Sequence, residues 1–299
     1  MFEAERAPEP APPQSSEVSV TLPMAGAADT PLVFANPHAG RIYPHEMMAA
    51  SALDAAAIRC SEDALVDDLI ASAPARGAVV VAAGLARAYI DVNREPWELD
   101  PAMYEDELPA YARSRTARVA AGLGAIARVV SEGREIYARK LRFSEAAARV
   151  EHGHRPYHEA LAAAIDGVHA RHGRAVLIDW HSMPAAAAKD GFLGRDRCDM
   201  VLGDRFGAAC APGLTRTVER ALEAMGYAVL RNAPYAGGYT TEHYGKPSRG
   251  VHALQIEINR ALYLDEATLQ PTAGMDRLKG DLDRLFAALA EADWAAVVG

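Results

Sequence analysis

Two histidines in this chain occupy the same kind of position. Leu32-Val33-Phe34-Ala35 runs into Asn36-Pro37-His38-Ala39-Gly40, and Ala175-Val176-Leu177-Ile178 runs into Asp179-Trp180-His181-Ser182-Met183-Pro184. Each apolar run reads as a buried strand, and Pro184 as the stop of the second. The mouths of such strands are where α/β folds gather their chemistry. Imidazole nitrogens are metal donors, and zinc takes about four ligands from His, Cys and carboxylate. His38 and His181 therefore point to a shared metal, with a carboxylate as the natural third ligand. Glu62-Asp63-Ala64-Leu65-Val66-Asp67-Asp68-Leu69 offers candidates, on a helix expected to open there with Ser61 as N-cap. Acids in a first turn also suit the helix dipole without any metal, so the residue types alone do not choose among them. Either Asp179 or Ser182 can orient His181. If the strand continues, alternation puts Asp179 on the His181 face and Trp180 on the other.

A second cluster is Arg87-Ala88-Tyr89-Ile90-Asp91-Val92-Asn93-Arg94. Here a short strand is expected to deliver Asn93 and Arg94 to its end. Arginine grips a carboxylate through two parallel hydrogen bonds. Asn93 adds an amide donor, Asp91 can steady a guanidinium, and Arg87 is a second cation suited to a developing oxyanion. An Asp–Arg ion pair capping a strand is the purely structural alternative. In Gln255-Ile256-Glu257-Ile258-Asn259-Arg260, alternation places Glu257 with Gln255 and Asn259, opposite the isoleucines. A carboxylate in so apolar a segment is costly unless paired or functional. Burial raises its pKa and fits it to take a proton from water, while an ion pair with Arg260 or Arg94 is the alternative. Gly237-Gly238-Tyr239-Thr240, with Tyr244, suits a loop over a pocket or an ordinary tight turn. His243 and His252 are weaker candidates for substrate contact. His45-Glu46-Met47-Met48-Ala49 lacks the second histidine of a zincin helix.

These residues need elements to hold them. Strands are expected at 31–35, 77–82, 88–92, 175–179, 198–202, 227–231 and 252–258, and helices at 62–73, 113–131, 157–172, 213–226 and 275–290. Helices alternating with apolar strands indicate an α/β fold. Residues 1–16, rich in Ala, Pro and Glu, read as a disordered tail, and 17–299 as one catalytic domain. The 299 residues are half hydrophobic, enough for a substantial core. A net charge of −9 argues against nucleic-acid partners. No apolar run approaches the roughly 20 residues that cross a bilayer. The N-terminus lacks the pattern of a secretory signal, and Cys60, Cys198 and Cys210 read as reduced thiols, so a cytoplasmic protein is expected. The pattern fixes no oligomeric state.

The same clusters, in this order, resemble the N-formylglutamate amidohydrolase family, within the wider group of zinc carboxypeptidases and aspartoacylase-like deacylases. The resemblance runs from about Val33 to Glu266. It is carried by Pro37-His38-Ala39-Gly40, Asp63 to Asp67, Asp91-Val92-Asn93-Arg94, Tyr157-His158, Asp179-Trp180-His181-Ser182, Gly237-Gly238-Tyr239-Thr240 and Gln255-Ile256-Glu257. It implies a mixed central β-sheet flanked by helices on both faces, the three-layer sandwich of the zinc carboxypeptidase-like group. It implies Zn2+ held by His38, Asp63 and His181, with Glu62 the adjacent alternative. It implies that Asn93 and Arg94, with Tyr239 and Thr240, bind substrate, that Arg87 stabilises an oxyanion, and that Glu257 is base and then acid. The implied reaction is hydrolysis of a small N-acyl amino acid, N-formyl-L-glutamate to glutamate and formate. One departure stands out. Histidine-degrading members tend to carry a basic, aromatic Arg-Phe-Lys element before Gly-Gly-Tyr, where this chain has Asn232-Ala233-Pro234-Tyr235-Ala236. Two other functions are therefore kept: a deacylase or carboxypeptidase-like hydrolase for another N-acyl amino acid or small peptide, and a metal-free carboxylate-binding module.

Overall fold

Apolar runs too short to stand alone must pair with one another, and here they form the centre of a seven-stranded sheet. The computed structural model describes residues 17–130, 133–189 and 198–299; the expected tail at 1–16 lies outside these. The strands of this main sheet are β1 (Val18–Thr21), β2 (Leu32–Asn36), β3 (Val79–Ala83), β4 (Ala175–Met183), β5 (Met200–Gly203), β6 (Val229–Arg231) and β7 (Val251–Asn259), in the spatial order β1-β3-β2-β4-β7-β5-β6. The four central strands, β3, β2, β4 and β7, are parallel. β1 is antiparallel to β3, and β5 is antiparallel to β7 and parallel to β6, so the sheet is mixed. The direction of β7 is set by its nine-residue register with β4, Ala175 opposite Val251 through Met183 opposite Asn259.

Helices cover both faces. On one, Phe34, Trp180 and Ile256 pack against Leu214, Val218 and Leu222 of the helix Pro212–Ala224 and Leu278, Leu282 and Phe286 of the helix Gly274–Ala290. The Phe34 ring lies 5.4 Å from Trp180 and 5.1 Å from Phe286, a tilted and edge-on arrangement that aromatic quadrupoles favour. On the other, Val33, Ala35 and Leu177 meet Tyr157, Leu161, Ile165 and Val168 of the helix Arg155–His172, which ends at the left-handed Gly173. A strand covered twice is buried along its length, as β2 and β4 are.

Three expectations are corrected. The helix at 62–73 shrinks to Val66–Leu69, because Leu65 takes a left-handed conformation (φ 62°). Ser61 ends a short 3-10 turn there instead of capping a helix. The strand at 88–92 is a series of turns: Ala86 O accepts from Tyr89 N and Ile90 N, and the apolar side chains serve the core below. The helix at 113–131 is a single turn, Ala117–Ala120, capped by Thr116 and followed by Gly122 at φ 76°. Among the described residues no helix is long and apolar enough to cross a membrane.

Candidate metal centre and active site

Because β2, β4 and β7 are parallel neighbours, their C-terminal ends open at the same edge of the sheet. His38 follows β2 by two residues, His181 lies in the last turn of pleats of β4, and Glu257 is its register partner on β7. Asp63 N donates to His38 O at 3.1 Å, which binds the Asp63 segment to the β2 exit.

Three donor atoms converge there. His38 Nδ1 and His181 Nδ1 are 3.0 Å apart, and Asp63 Oδ2 is 3.3 Å from the first and 3.1 Å from the second. All three residues are buried, and among the described residues this is the His/Cys/Asp/Glu group able to hold a metal ion. Atoms each about 2.0–2.1 Å from one tetrahedral ion stand about 3.3 Å apart, close to the edges of this triangle. The backs of both rings are occupied. His38 Nε2 lies 2.7 Å from Asp91 Oδ1, and His181 Nε2 lies 3.0 Å from Asp179 Oδ2. A carboxylate on each Nε2 favours a proton there and turns each Nδ1 lone pair inward, the usual support for metal-binding imidazoles. Three lone-pair donors facing one another in a buried site repel unless a cation sits between them. The residues therefore fit a divalent ion. Asp179, which shares the His181 face of β4, is the orienting residue; Ser182 instead receives Arg260 Nε at 3.1 Å. Glu62 points elsewhere, hydrogen-bonded by Tyr43 and paired with Arg59.

Asp63 Oδ1 faces two guanidiniums, Arg260 Nη2 at 3.0 Å and Arg87 Nη1 at 3.4 Å. Burial alone raises a carboxyl pKa, but hydrogen bonds from His181 and His38, made whenever an Nδ1 carries a proton in the metal-free site, and the Arg87 charge hold Asp63 well below the usual carboxylate range. Arg87 also donates to Asp91 Oδ2 at 2.9 Å, so two carboxylates share its charge. Arg260 was foreseen only as a partner for Glu257; the structure gives it to Asp63 and Ser182. Glu257 has no such partner among the described ion pairs. Its Oε1 accepts from Gln255 Nε2 at 2.8 Å, and Gln255 Oε1 in turn accepts from Gly238 N at 2.8 Å. Burial pushes the Glu257 carboxyl from its ordinary 4.5 up to about 7, against the pull of the His181, Arg87 and Arg260 charges. Gln255 is a positioning residue that sequence analysis placed on the right face without giving it a task.

These groups line a cavity of about 730 Å3. Arg87, Asp91, Asn93, Arg94 and Glu257 all reach it. Asn93 is buried, and its amide is engaged: Nδ2 lies 3.0 Å from His181 Nε2 and 3.3 Å from Asp179 Oδ2, and Oδ1 accepts from Thr240 N at 2.8 Å. Arg94 donates to Leu123 O and to Asn93 O, leaving Nη2 3.8 Å from Asp91. Burial, with Arg87 and Arg118 nearby, lowers its pKa while Asp91 opposes.

Tyr239 and Thr240 open a short helix, Tyr239–Tyr244, where a loop was expected, and they do not line the cavity. Their backbone N–H groups hold Asn93 instead, Tyr239 N reaching Asn93 O at 3.3 Å. Thr240 is fully buried. Gly238 has to be glycine, because a Cβ there would meet Asn93 Nδ2 and Oδ1 at 2.5 Å. His243 stacks on Tyr239, and His252 accepts from Ala211 N; neither reaches the cavity.

The chain is also similar to known proteins. The family model described as N-formylglutamate amidohydrolase matches residues 30–264. The N-formylglutamate deformylase of Pseudomonas putida is 31% identical over 241 residues, covering 79% of this chain and 82% of its own. That of Pseudomonas aeruginosa is 30% identical over 242 residues, covering 79% and 83%. The crystal structure of N-formylglutamate amidohydrolase from Ralstonia eutropha JMP134 superposes with a TM-score of 0.83 at 36% identity, covering 92% of this chain and 97% of that one. On this evidence the chain belongs to the N-formylglutamate amidohydrolase family.

Proposed function

We propose that the protein hydrolyses the amide of N-formyl-L-glutamate to L-glutamate and formate, with Zn2+ held by His38, Asp63 and His181. The observation that carries this reading is the triangle of donors, with edges of 3.0 to 3.3 Å, beside the buried carboxyl of Glu257, which has no ion-pair partner among the described residues. Zinc, when bound, supplies Lewis acidity that polarises a carbonyl and eases the ionisation of water. Glu257 takes a proton from the attacking water and returns it to the leaving amine nitrogen, so that one water is consumed and each product leaves intact. Arg87 adds positive charge beside the oxyanion that develops on the formyl oxygen. Arg94 holds the α-carboxylate. Asn93 joins the wall at that end and donates to Asp179, the acid that orients His181, while Tyr239 and Thr240 act through Asn93. A metal-free binding role leaves the inward-turned lone pairs of His38 and His181 without a purpose.

A bulkier N-acyl amino acid is the second reading. It is favoured by the apolar side chains of Leu123, Val129, Val130 and Ile136 among the cavity's lining and by a volume of about 730 Å3, more room than a formyl group needs. A panel of N-formyl, N-acetyl and longer N-acyl glutamates separates the two. Formate release from N-formyl-L-glutamate, abolished by a strong chelator and restored by zinc, is the expected result. An enzyme that turns over only the longer acyl chains favours the second.

A further inference from the structure

The segment ahead of Gly237 brings Tyr235 and Ala236 to the cavity, not a cation. Positive charge enters from another direction. Four arginines line the cavity: Arg87, Arg94, Arg118 and Arg260. Arg87 and Arg260 are held by the site's own carboxylates, Arg87 by Asp91 at 2.9 Å and Arg260 by Asp63 at 3.0 Å. Arg94 and Arg118 are not matched in this way. Arg94 comes no nearer to Asp91 than 3.8 Å, and Arg118 Nη1 stands 3.8 Å from Glu98 Oε2. Both separations exceed hydrogen-bond length.

The two residues are built into one unit. Arg118 sits on the single helical turn Ala117–Ala120, which Thr116 caps by accepting from Val119 N at 3.1 Å. The chain then folds back so that Leu123 N donates to Arg118 O at 2.8 Å, while Leu123 O accepts Arg94 Nε at 3.1 Å. The turn that carries Arg118 thus fixes the orientation of Arg94. Arg94 is largely buried beside Asp91, the acid behind His38, whereas the Arg118 side chain, also on the cavity wall, is 36% exposed. A ligand with one carboxylate needs one of these cations. A ligand whose two carboxylates are separated by three carbons can use both.

We propose that Arg118 is a specificity-determining residue that receives the side-chain carboxylate of an N-acyl dicarboxylic amino acid, while Arg94 holds its α-carboxylate. This assignment rests on the deformylase reading above. It places the second anion-binding cation on a different segment from the one before Gly237, and it selects dicarboxylic substrates over their amides.

The test compares kcat/KM for N-formyl-L-glutamate and N-formyl-L-glutamine in the wild type and in the Arg118→Ala, Arg118→Lys and Arg94→Ala variants, all loaded with zinc. The wild type is expected to prefer the glutamate derivative. Arg118→Ala should shrink that preference about ten- to a hundredfold, mainly through KM, the scale of a charged hydrogen bond. Arg118→Lys should restore part of it, because a point charge still attracts a carboxylate. Arg94→Ala should lower both substrates together and keep the preference. A preference undiminished in Arg118→Ala overturns the assignment while leaving the deformylase reading intact. A wild type that releases formate from neither substrate removes that reading, and the proposal with it. Arg118 is partly exposed and its turn is capped independently by Thr116, so the variants should fold; the conservative lysine variant gives a second measurement if alanine does not.

Discussion

His38 Nδ1 and His181 Nδ1 stand 3.0 Å apart, although 143 residues separate the two histidines in sequence. Asp91 and Asp179 hold the far nitrogens of the two rings, at 2.7 and 3.0 Å. The two carboxylates thus determine which nitrogens face inward. Replacing either by asparagine, Asp91→Asn or Asp179→Asn, is expected to weaken zinc affinity about 10- to 100-fold, the usual cost of losing such support. A competition titration against a chromophoric chelator measures it. Wild-type affinity in both variants would show that ring orientation does not depend on these acids.

Glu257 can accept a proton only as a carboxylate. Burial raises its pKa from the ordinary 4.5 to about 7 in the metal-free site and a bound cation draws it part of the way back, so the charged form is lost as pH falls through the resulting value. Below it, kcat/KM should fall about tenfold per pH unit, and above it should level off. A profile that stays flat from pH 8 to pH 5 contradicts the assignment. Glu257→Gln should keep its metal and lose about a hundredfold or more in rate. It preserves the shape of the side chain beside Gln255, so the loss cannot be blamed on a collapsed site.

Arg94→Ala should cost about 1.5–3 kcal/mol of transition-state binding, since it deletes a desolvated cation that holds a carboxylate. The readout is kcat/KM on N-formyl-L-glutamate. Unchanged kcat/KM in this variant would move the α-carboxylate to another cation.

The strand mouths were legible in the sequence because double burial writes itself as unbroken apolar runs. β2, β4 and β7 fall where Leu32–Ala35, Ala175–Ile178 and the alternation of Val251–Ile258 place them. Asp179 and His181 share a face for the same reason, with Trp180 turned into the core beside Phe34. The segment from Ala88 to Val92 looked like a strand because its side chains are buried, yet its backbone turns, and side-chain burial does not distinguish the two. Leu65 hides a left-handed break inside an apparently helical pattern. β1, at the sheet edge, is mostly exposed and gave little hydrophobic signal. The roles of Arg260 and Gln255 depend on contacts across the fold; the Arg260–Asp63 pair alone spans 197 residues. Local pattern could nominate such side chains but could not pair them.

Gly238 offers a test of how rigidly Asn93 is held. A methyl group there would press on the Asn93 amide at 2.5 Å, and that amide is tied to Asp179 and Thr240. Gly238→Ala is expected to destabilise the fold by about 1–3 kcal/mol, as overpacking does, and to lower kcat/KM with it. Denaturant midpoints and steady-state rates read the two effects. Wild-type values for both would mean that Asn93 has room to move.

The central claim is that two imidazoles and one carboxylate bind a single divalent ion. Elemental analysis of the purified protein, run beside His38→Ala and His181→Ala, tests it most directly. The expected result is about one zinc per chain in the wild type and none retained in either variant after dialysis. A wild type that is free of metal yet releases formate at full rate in a strong chelator would contradict it.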